Sequence, residues 1–250
     1  MRRREFVTNT AAMGIIMAAS SVPDVFSQAT RTLGNGAGVS NAGAGNKLTP
    51  PAKGSIPVAF AISEGVTVID FAGPWEVFQD VMVPARGKDM EEQMPFRLFT
   101  VSEKTDPVEG SGGLKLVPDY TFETVPPPKI VVVPAQRGSV ALHNWLRRVT
   151  ETTDVTMSVC TGAFQLAKAG LLSGKSATTH HDFIDGFTKQ FPDVDVKRGL
   201  RFVEGPKIST AGGLSSGIDL ALRVVDRYFG RDVAEKTAGY MEYQSKGWIV

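Results

Sequence analysis

From Ile56 onward the chain alternates short apolar runs with amphipathic stretches. Pro57-Val58-Ala59-Phe60-Ala61-Ile62 is apolar throughout, the pattern of a strand buried on both faces. Gly73-Pro74 is expected to open a short helix through Trp75, Glu76, Val77 and Phe78, with the proline in its first turn. Further strands are predicted at Phe96–Val101 and Leu114–Val117, and Lys129-Ile130-Val131-Val132-Val133 gives the strongest parallel-strand signal. A helix over Ser139–Val149, a strand over Val155–Val159 and a helix over Gly162–Ala169 follow. Short strands are expected at Ser176–Thr179, Val194–Lys197, Leu200–Val203 and Lys207–Thr210. A long amphipathic helix over Ser216–Phe229 and a last one over Val233–Tyr243 close the pattern. Strands alternating with helices predict a three-layer α/β domain around a mostly parallel sheet, with ligands bound beyond the carboxyl ends of the strands.

The first 54 residues read differently. Arg2-Arg3-Arg4 precedes a short, small-residue apolar run, Ala11-Ala12-Met13-Gly14-Ile15-Ile16-Met17-Ala18-Ala19. That is the layout of a secretory signal and too short for a permanent membrane span. The arginine pair followed by Glu5-Phe6-Val7 resembles the twin-arginine type, and Ser27-Gln28-Ala29 offers small residues for cleavage after Ala29. Residues 1–29 are therefore expected to be a twin-arginine-type signal, residues 30–54 a flexible Gly/Ala/Asn linker ending in Pro50-Pro51, and residues 55–250 the folded domain. The mature protein is expected to be exported, by inference to the periplasm, with no stable membrane association after cleavage.

Composition narrows the function. The 250 residues hold 27 basic and 26 acidic side chains. Loss of residues 1–29 removes Arg2, Arg3 and Arg4 together with Glu5 and Asp24, which leaves equal numbers of acids and bases. No nucleic-acid partner is expected from so even a balance. One cysteine excludes an intrachain disulfide or a CxxC pair, and three histidines leave little for a metal cage, so no metal is expected.

Cys160 falls where the Val155–Val159 strand runs into a helix that opens Gly162-Ala163. A helix start offers free N–H groups and a positive dipole end, which would favour thiolate over thiol, and the Thr161 N–H could face a developing oxyanion. A buried structural cysteine is the alternative. His180 ends the following strand and could serve Cys160 as a base, or could instead cap a helix. Asp70 and Glu76 flank the Gly73-Pro74 turn as candidate acids, although Asp70 could equally be an N-terminal cap and Glu76 would have to turn into the pocket. His143 lies mid-helix and reads as structural or surface. Ala211-Gly212-Gly213-Leu214-Ser215-Ser216-Gly217-Ile218-Asp219 lacks P-loop spacing, so it reads as close helix–sheet packing near the pocket, and no nucleotide or other cofactor is expected.

Four stretches in order, IDFAGPWEVF, VCTGAFQLAKAGLLSGKSATTHHDF, FPDVDV and STAGGLSSGIDLALRVVDRYFG, resemble the ThiJ/PfpI superfamily. The resemblance is closest to its branch of isonitrile hydratase and the amidotransferase-like domains of AraC-type regulators. It implies a three-layer, flavodoxin-like α/β sandwich with a nucleophile elbow, and commonly a homodimer. It places Cys160 on the nucleophile, Thr161 on the residue after it, Asp70 on the acid, Glu76 on the helix acid beside it and His180 on the family histidine. Two positions depart from the pattern. His181 replaces a tryptophan at the pocket wall, and Pro134-Ala135-Gln136-Arg137-Gly138 replaces a Pro-Gly-Gly loop, putting the expected oxyanion donors of Ala135 and Gln136 in question.

The implied activity is attack by Cys160 on a small electrophilic substrate, most specifically hydration of an isonitrile to an N-substituted formamide. A ligand-binding or thiol-sensing domain, or another cysteine-dependent hydrolase, is the alternative. The related regulators carry a DNA-binding region after this domain, whereas here the sequence ends at Val250.

Overall fold

The computed structural model describes residues 46–250. The expected signal and residues 30–45 of the expected linker lie outside the described residues. In chain order the elements are β1 (Ile56–Ala61), α1 (Val68–Gln79), α2 (Met90–Gln93), β2 (Phe96–Ser102), β3 (Val108–Glu109), β4 (Lys115–Leu116), β5 (Tyr120–Thr121) and β6 (Ile130–Val133). Then come α3 (Val140–Thr150), β7 (Val155–Ser158), α4 (Gly162–Lys168), β8 (Ser176–Ala177), α5 (Ile184–Gln190) and β9 (Asp195–Val196). The last are β10 (Phe202–Val203), β11 (Ile208–Ala211), α6 (Ser216–Phe229) and α7 (Arg231–Tyr240).

Seven strands form one sheet in the order β10-β11-β7-β6-β1-β2-β5. All neighbours are parallel except β10, which runs against β11. The all-apolar strands are buried on both faces because each strand alternates sides. Ile56, Val58 and Phe60 of β1, with Ile130 and Val132 of β6, pack under α1, α6 and α7. Ala59, Ala61, Val131 and Val133 face α3, α4 and α5 instead. Three expected strands fall outside this sheet. Leu114–Val117 is reduced to β4, which pairs only with β3, while Ser176–Thr179 and Val194–Lys197 are reduced to β8 and β9, which pair only with each other.

The first helix differs from the sequence pattern. It starts at Val68, so Pro74 sits inside it rather than in its first turn. Partners remote in sequence fix that start: the Thr67 N–H donates to the Ala135 carbonyl (2.9 Å) and the Val68 N–H to Ser111 Oγ (3.0 Å). They satisfy N–H groups that a helix start leaves free. Pro74 and Gly73 are both buried, and α1 packs closely on α6 there. A Cβ on Gly73 would come within 2.9 Å of Ile218 Cγ1, and one on Gly217 within 2.8 Å of Val159 Cγ2.

The end of the expected linker is fastened to the domain rather than free. The buried Arg227 donates through Nε to the Asn46 carbonyl (3.0 Å), and its own carbonyl accepts from the Leu48 N–H (2.8 Å). The Arg86 guanidinium donates to the carbonyls of Pro51 (3.0 Å) and Gly54 (2.6 Å). Polar backbone without regular structure is held here by arginine donors, which composition alone does not reveal.

At the other end Trp248 is fully buried, donates through Nε1 to the Ser245 carbonyl (3.1 Å) and lies under the Arg231 guanidinium, 5.2 Å from the ring centroid. Trp248→Ala is expected to lower the unfolding free energy in urea by about 3–5 kcal/mol, the usual cost of truncating a buried aromatic. A change within error of wild type would show that the tail does not belong to the core.

Candidate active site

The chain turns sharply between β7 and α4. The Val159 N–H still pairs with the Val133 carbonyl (3.0 Å), Cys160 takes a left-handed conformation (φ 58°), and α4 begins two residues later at Gly162. Left-handed backbone is uncommon for a residue with a side chain and costs about 1–2 kcal/mol. Both peptide neighbours hold it in place: the Cys160 N–H donates to the Gly212 carbonyl (2.8 Å), and the Cys160 carbonyl accepts from Thr179 Oγ1 (2.9 Å). Gly162 allows the approach, since a Cβ there would lie 2.0 Å from the Val133 carbonyl oxygen. The sharp strand-to-helix turn expected of a nucleophile elbow is present.

Asp70, in the first turn of α1, is fully buried beside this cysteine. Its Oδ2 accepts from the Ala135 N–H (3.1 Å). Oδ1 has no hydrogen-bond partner among the described residues, and the neighbouring Cys160 thiol acts to lower the carboxyl pKa. Burial raises the Asp70 pKa from 3.8 to about 6, against the lowering effect of the Ala135 N–H and the thiol. Burial also pushes the Cys160 thiol up to about 11, and the neighbouring Asp70 charge adds to that. The Thr161 N–H, the Leu214 N–H and the Thr161 hydroxyl pull the other way.

Burial and the neighbouring carboxylate thus act against the expected thiolate. The dipole of seven-residue α4 and a few N–H groups are outweighed by desolvation and a carboxylate in contact. The balance of these effects favours a protonated thiol beside the carboxyl group.

The other expected residues are placed as follows. Thr161 adjoins Cys160 at the start of α4, where its N–H and hydroxyl act to lower the thiol pKa. Glu76 is exposed on α1; six residues beyond Asp70, it lies about a third of a turn round the helix from it, so it is not brought to the thiol. The Ala135 N–H is committed to Asp70 rather than to an oxyanion position. Gln136 acts as a brace, its Nε2 donating to the carbonyls of Ala61 (2.8 Å) and Pro134 (3.3 Å).

His180 takes the capping role. Its Nδ1 accepts from the Asp182 N–H (3.3 Å) at the start of a short turn, and its ring packs on Gly213, where a Cβ would fall 2.2 Å from Cδ2. It lines a cavity of about 390 Å³ with Thr179, Leu214 and Arg201 beside the elbow. His181 is exposed and stacks on His180, with ring centroids 4.3 Å apart, so it walls the outer rim. His180, His181 and Asp182 hold ligand-type atoms within 4.8 Å of one another, but His180 Nδ1 is already taken by the Asp182 N–H and the carboxylate lies against His181 (3.1 Å).

Leu214 and Gln165 escaped the sequence reading, while His143 takes the structural role expected of it. The Leu214 N–H reaches the sulfur because Leu214 is itself left-handed (φ 51°), a conformation that the Gly-Gly before it does not announce. His143 shares a hydrogen bond with Gln165 Oε1 (2.8 Å), while Gln165 Nε2 donates to the Gln136 carbonyl (3.0 Å). Since that amide nitrogen is the donor, His143 Nε2 carries the proton, and the pair braces the loop after β6.

A parallel α/β sheet with a left-handed cysteine at the carboxyl end of a central strand and a buried acid on its sulfur defines a nucleophile-elbow protein. The chain belongs to the DJ-1/PfpI family, whose model matches residues 57–227. It is 31% identical over 198 residues to the isonitrile hydratase of Pseudomonas putida, across 76% of this chain and 79% of that enzyme. It is 32% identical over 144 residues to the HTH-type transcriptional regulator CdhR of Pseudomonas aeruginosa, across 56% of this chain but only 43% of the regulator. A THiJ/PfpI family protein from Pseudomonas syringae superposes with a TM-score of 0.65 at 26% identity, across 79% of this chain and 78% of that one.

The raised Asp70 pKa has a consequence for stability. The native state keeps this proton to a higher pH than the unfolded chain does, so stability is greatest below about pH 4 for this group and is lost as pH rises through about 6. The loss is about 3 kcal/mol for a shift of this size. Urea unfolding of wild type and Asp70→Asn across that range should show the variant gaining by about this amount. A constant difference across the range would contradict the buried, raised carboxyl.

Proposed function

We propose that the chain is a cysteine-nucleophile enzyme of isonitrile hydratase type, converting an isonitrile and water to an N-substituted formamide. The observation that carries this reading is the buried Asp70 carboxylate against the Cys160 thiol, with Thr161 on the same sulfur. The similarity to the Pseudomonas putida isonitrile hydratase over most of both chains supports it.

A thiol held near 11 is a poor free nucleophile, so attack needs a base at the sulfur. Asp70 takes the thiol proton as Sγ bonds to the isonitrile carbon, then returns it to that same carbon. The product is a thioimidate, R–N=CH–S–Cys160. Water adds to its carbon, losing a proton to Asp70, which passes it to the nitrogen to give R–NH–CH(OH)–S–Cys160. The C–S bond then breaks as the adduct's hydroxyl proton moves by way of Asp70 to the departing sulfur, releasing R–NH–CHO and restoring the thiol. One water is consumed and nothing is oxidised or reduced. Thr161 and the Leu214 N–H steady the sulfur whenever it carries negative charge. His180, turned to its cap, is not needed as the base.

The same geometry disfavours thiol sensing. Oxidants attack thiolate, and Cys160 is both buried and protonated at rest. A ligand-binding role without turnover is the second reading, favoured by the likeness to CdhR.

Formamide release from a simple alkyl isonitrile, followed by chromatography, is expected for wild type and lost at least about a thousandfold in Cys160→Ala and Asp70→Asn. Full activity in Cys160→Ala would overturn the reading. Saturable isonitrile binding without product would move it to a binding domain.

Export by the twin-arginine route to the periplasm, and assembly as a homodimer, belong to the same proposal. Their support is the Arg3-Arg4-Glu5-Phe6-Val7 pattern and the family resemblance, respectively. Among the described residues no helix is long and apolar enough to cross a membrane. Replacing Arg3 and Arg4 with lysine should leave the protein in the cytoplasmic fraction of an exporting bacterium; unchanged export would contradict that route.

A further inference from the structure

We propose that Arg201 is a positioning residue, holding the Gly212–Ser215 turn in place against the Cys160 backbone and so setting the surroundings of the sulfur. The inference rests on Cys160 being the reactive group, as above, and adds a residue that acts on it through the turn.

The turn is fastened at both ends, and Arg201 supplies a bond at each. At the entry, the Gly212 N–H donates to the Arg201 carbonyl (2.9 Å), while the Gly212 carbonyl accepts from the Cys160 N–H (2.8 Å). At the exit, Arg201 Nη2 donates to Ser215 Oγ (3.3 Å). Arg201 Nε donates to Asp219 Oδ2 (2.5 Å) in the first turn of α6. Asp219 is fully buried, and its other oxygen accepts from Tyr243 (3.2 Å) and Ser245 (3.0 Å), so the carboxylate is an anchor with little freedom.

Between these points lies Leu214, left-handed and exposed. Its side chain is not buried in the core, so packing gives little reason for the conformation. Such a backbone state persists only where the surroundings over-determine it. The conformation leaves the Leu214 backbone beside Cys160, where its N–H acts to lower the thiol pKa. The fork of an arginine serves Ser215 and Asp219 together, which a lysine ammonium on a flexible stem does not reproduce in the same geometry.

The test reads the thiol and not turnover, so it stands or falls separately from the isonitrile reaction. Iodoacetamide alkylation of Cys160 is measured against pH in wild type, Arg201→Lys, Ser215→Ala and Tyr228→Phe. Tyr228→Phe removes a bond to Asp154 at the far end of α6 and serves as the control for general destabilisation. Losing the Leu214 donor should move the alkylation inflection up by about one pH unit, a tenfold slower reaction at any fixed pH below it. Arg201→Lys should show the full shift even though its charge still offsets Asp219, Ser215→Ala a smaller shift in the same direction, and Tyr228→Phe none. If Arg201→Lys does not fold, Ser215→Ala decides alone. An inflection unchanged in the folded variants, or moved equally by Tyr228→Phe, would overturn the assignment.

Discussion

A thiol and a carboxylate buried against one another cannot both ionise without a large desolvation cost, and the rest of the site is organised around that constraint. Asp70 and Cys160 together carry one negative charge near neutral pH, resting on the carboxylate. The donors that make this tolerable come from separate places in the chain: Ala135 after β6, Thr161 after β7 and Leu214 after β11. A charge that moves from oxygen to sulfur during attack meets a donor already in place at either end. That is the arrangement in which buried hydrogen bonds are most effective, because nothing has to reorganise as charge develops.

Parallel strands make this convergence possible. β6, β7 and β11 lie side by side and point the same way, so their carboxyl ends open onto one edge of the sheet. α1 delivers Asp70 to that edge, and Gly162 and Gly217 let α4 and α6 approach where any Cβ would strike backbone or Val159. Of the two left-handed residues at the site, Cys160 donates its N–H to the Gly212 carbonyl and Leu214 lies two residues beyond that glycine, which links the two turns. Backbone strain is thus stored where the chemistry is, and the surrounding hydrogen bonds stabilise it.

The likeness to both an enzyme and regulators follows from the same scaffold, since a fold fixes where a site lies but not what it does. What separates the possibilities here is the state of the sulfur. An accessible thiolate suits an oxidant sensor, whereas a protonated thiol with its own base suits a reaction triggered by substrate.

The sequence by itself determined the architecture and the central residue. All-apolar runs such as Ile130–Val133 are legible because a strand covered on both faces must be apolar at every position, and Cys160 is legible because a strand running into Gly162-Ala163 needs a sharp turn. Asp70 and Thr161 were legible through motif resemblance. Tertiary structure decided the rest. Val68 rather than Pro74 opens α1 because Ala135 and Ser111, far away in sequence, complete its first turn. Glu76 faces solvent because that start fixes its angle on the helix, and His180 caps a turn because its neighbour's N–H lies within reach. The thiol stays protonated because burial and the Asp70 charge outweigh a helix end, a balance set by distances between groups that the chain order keeps apart.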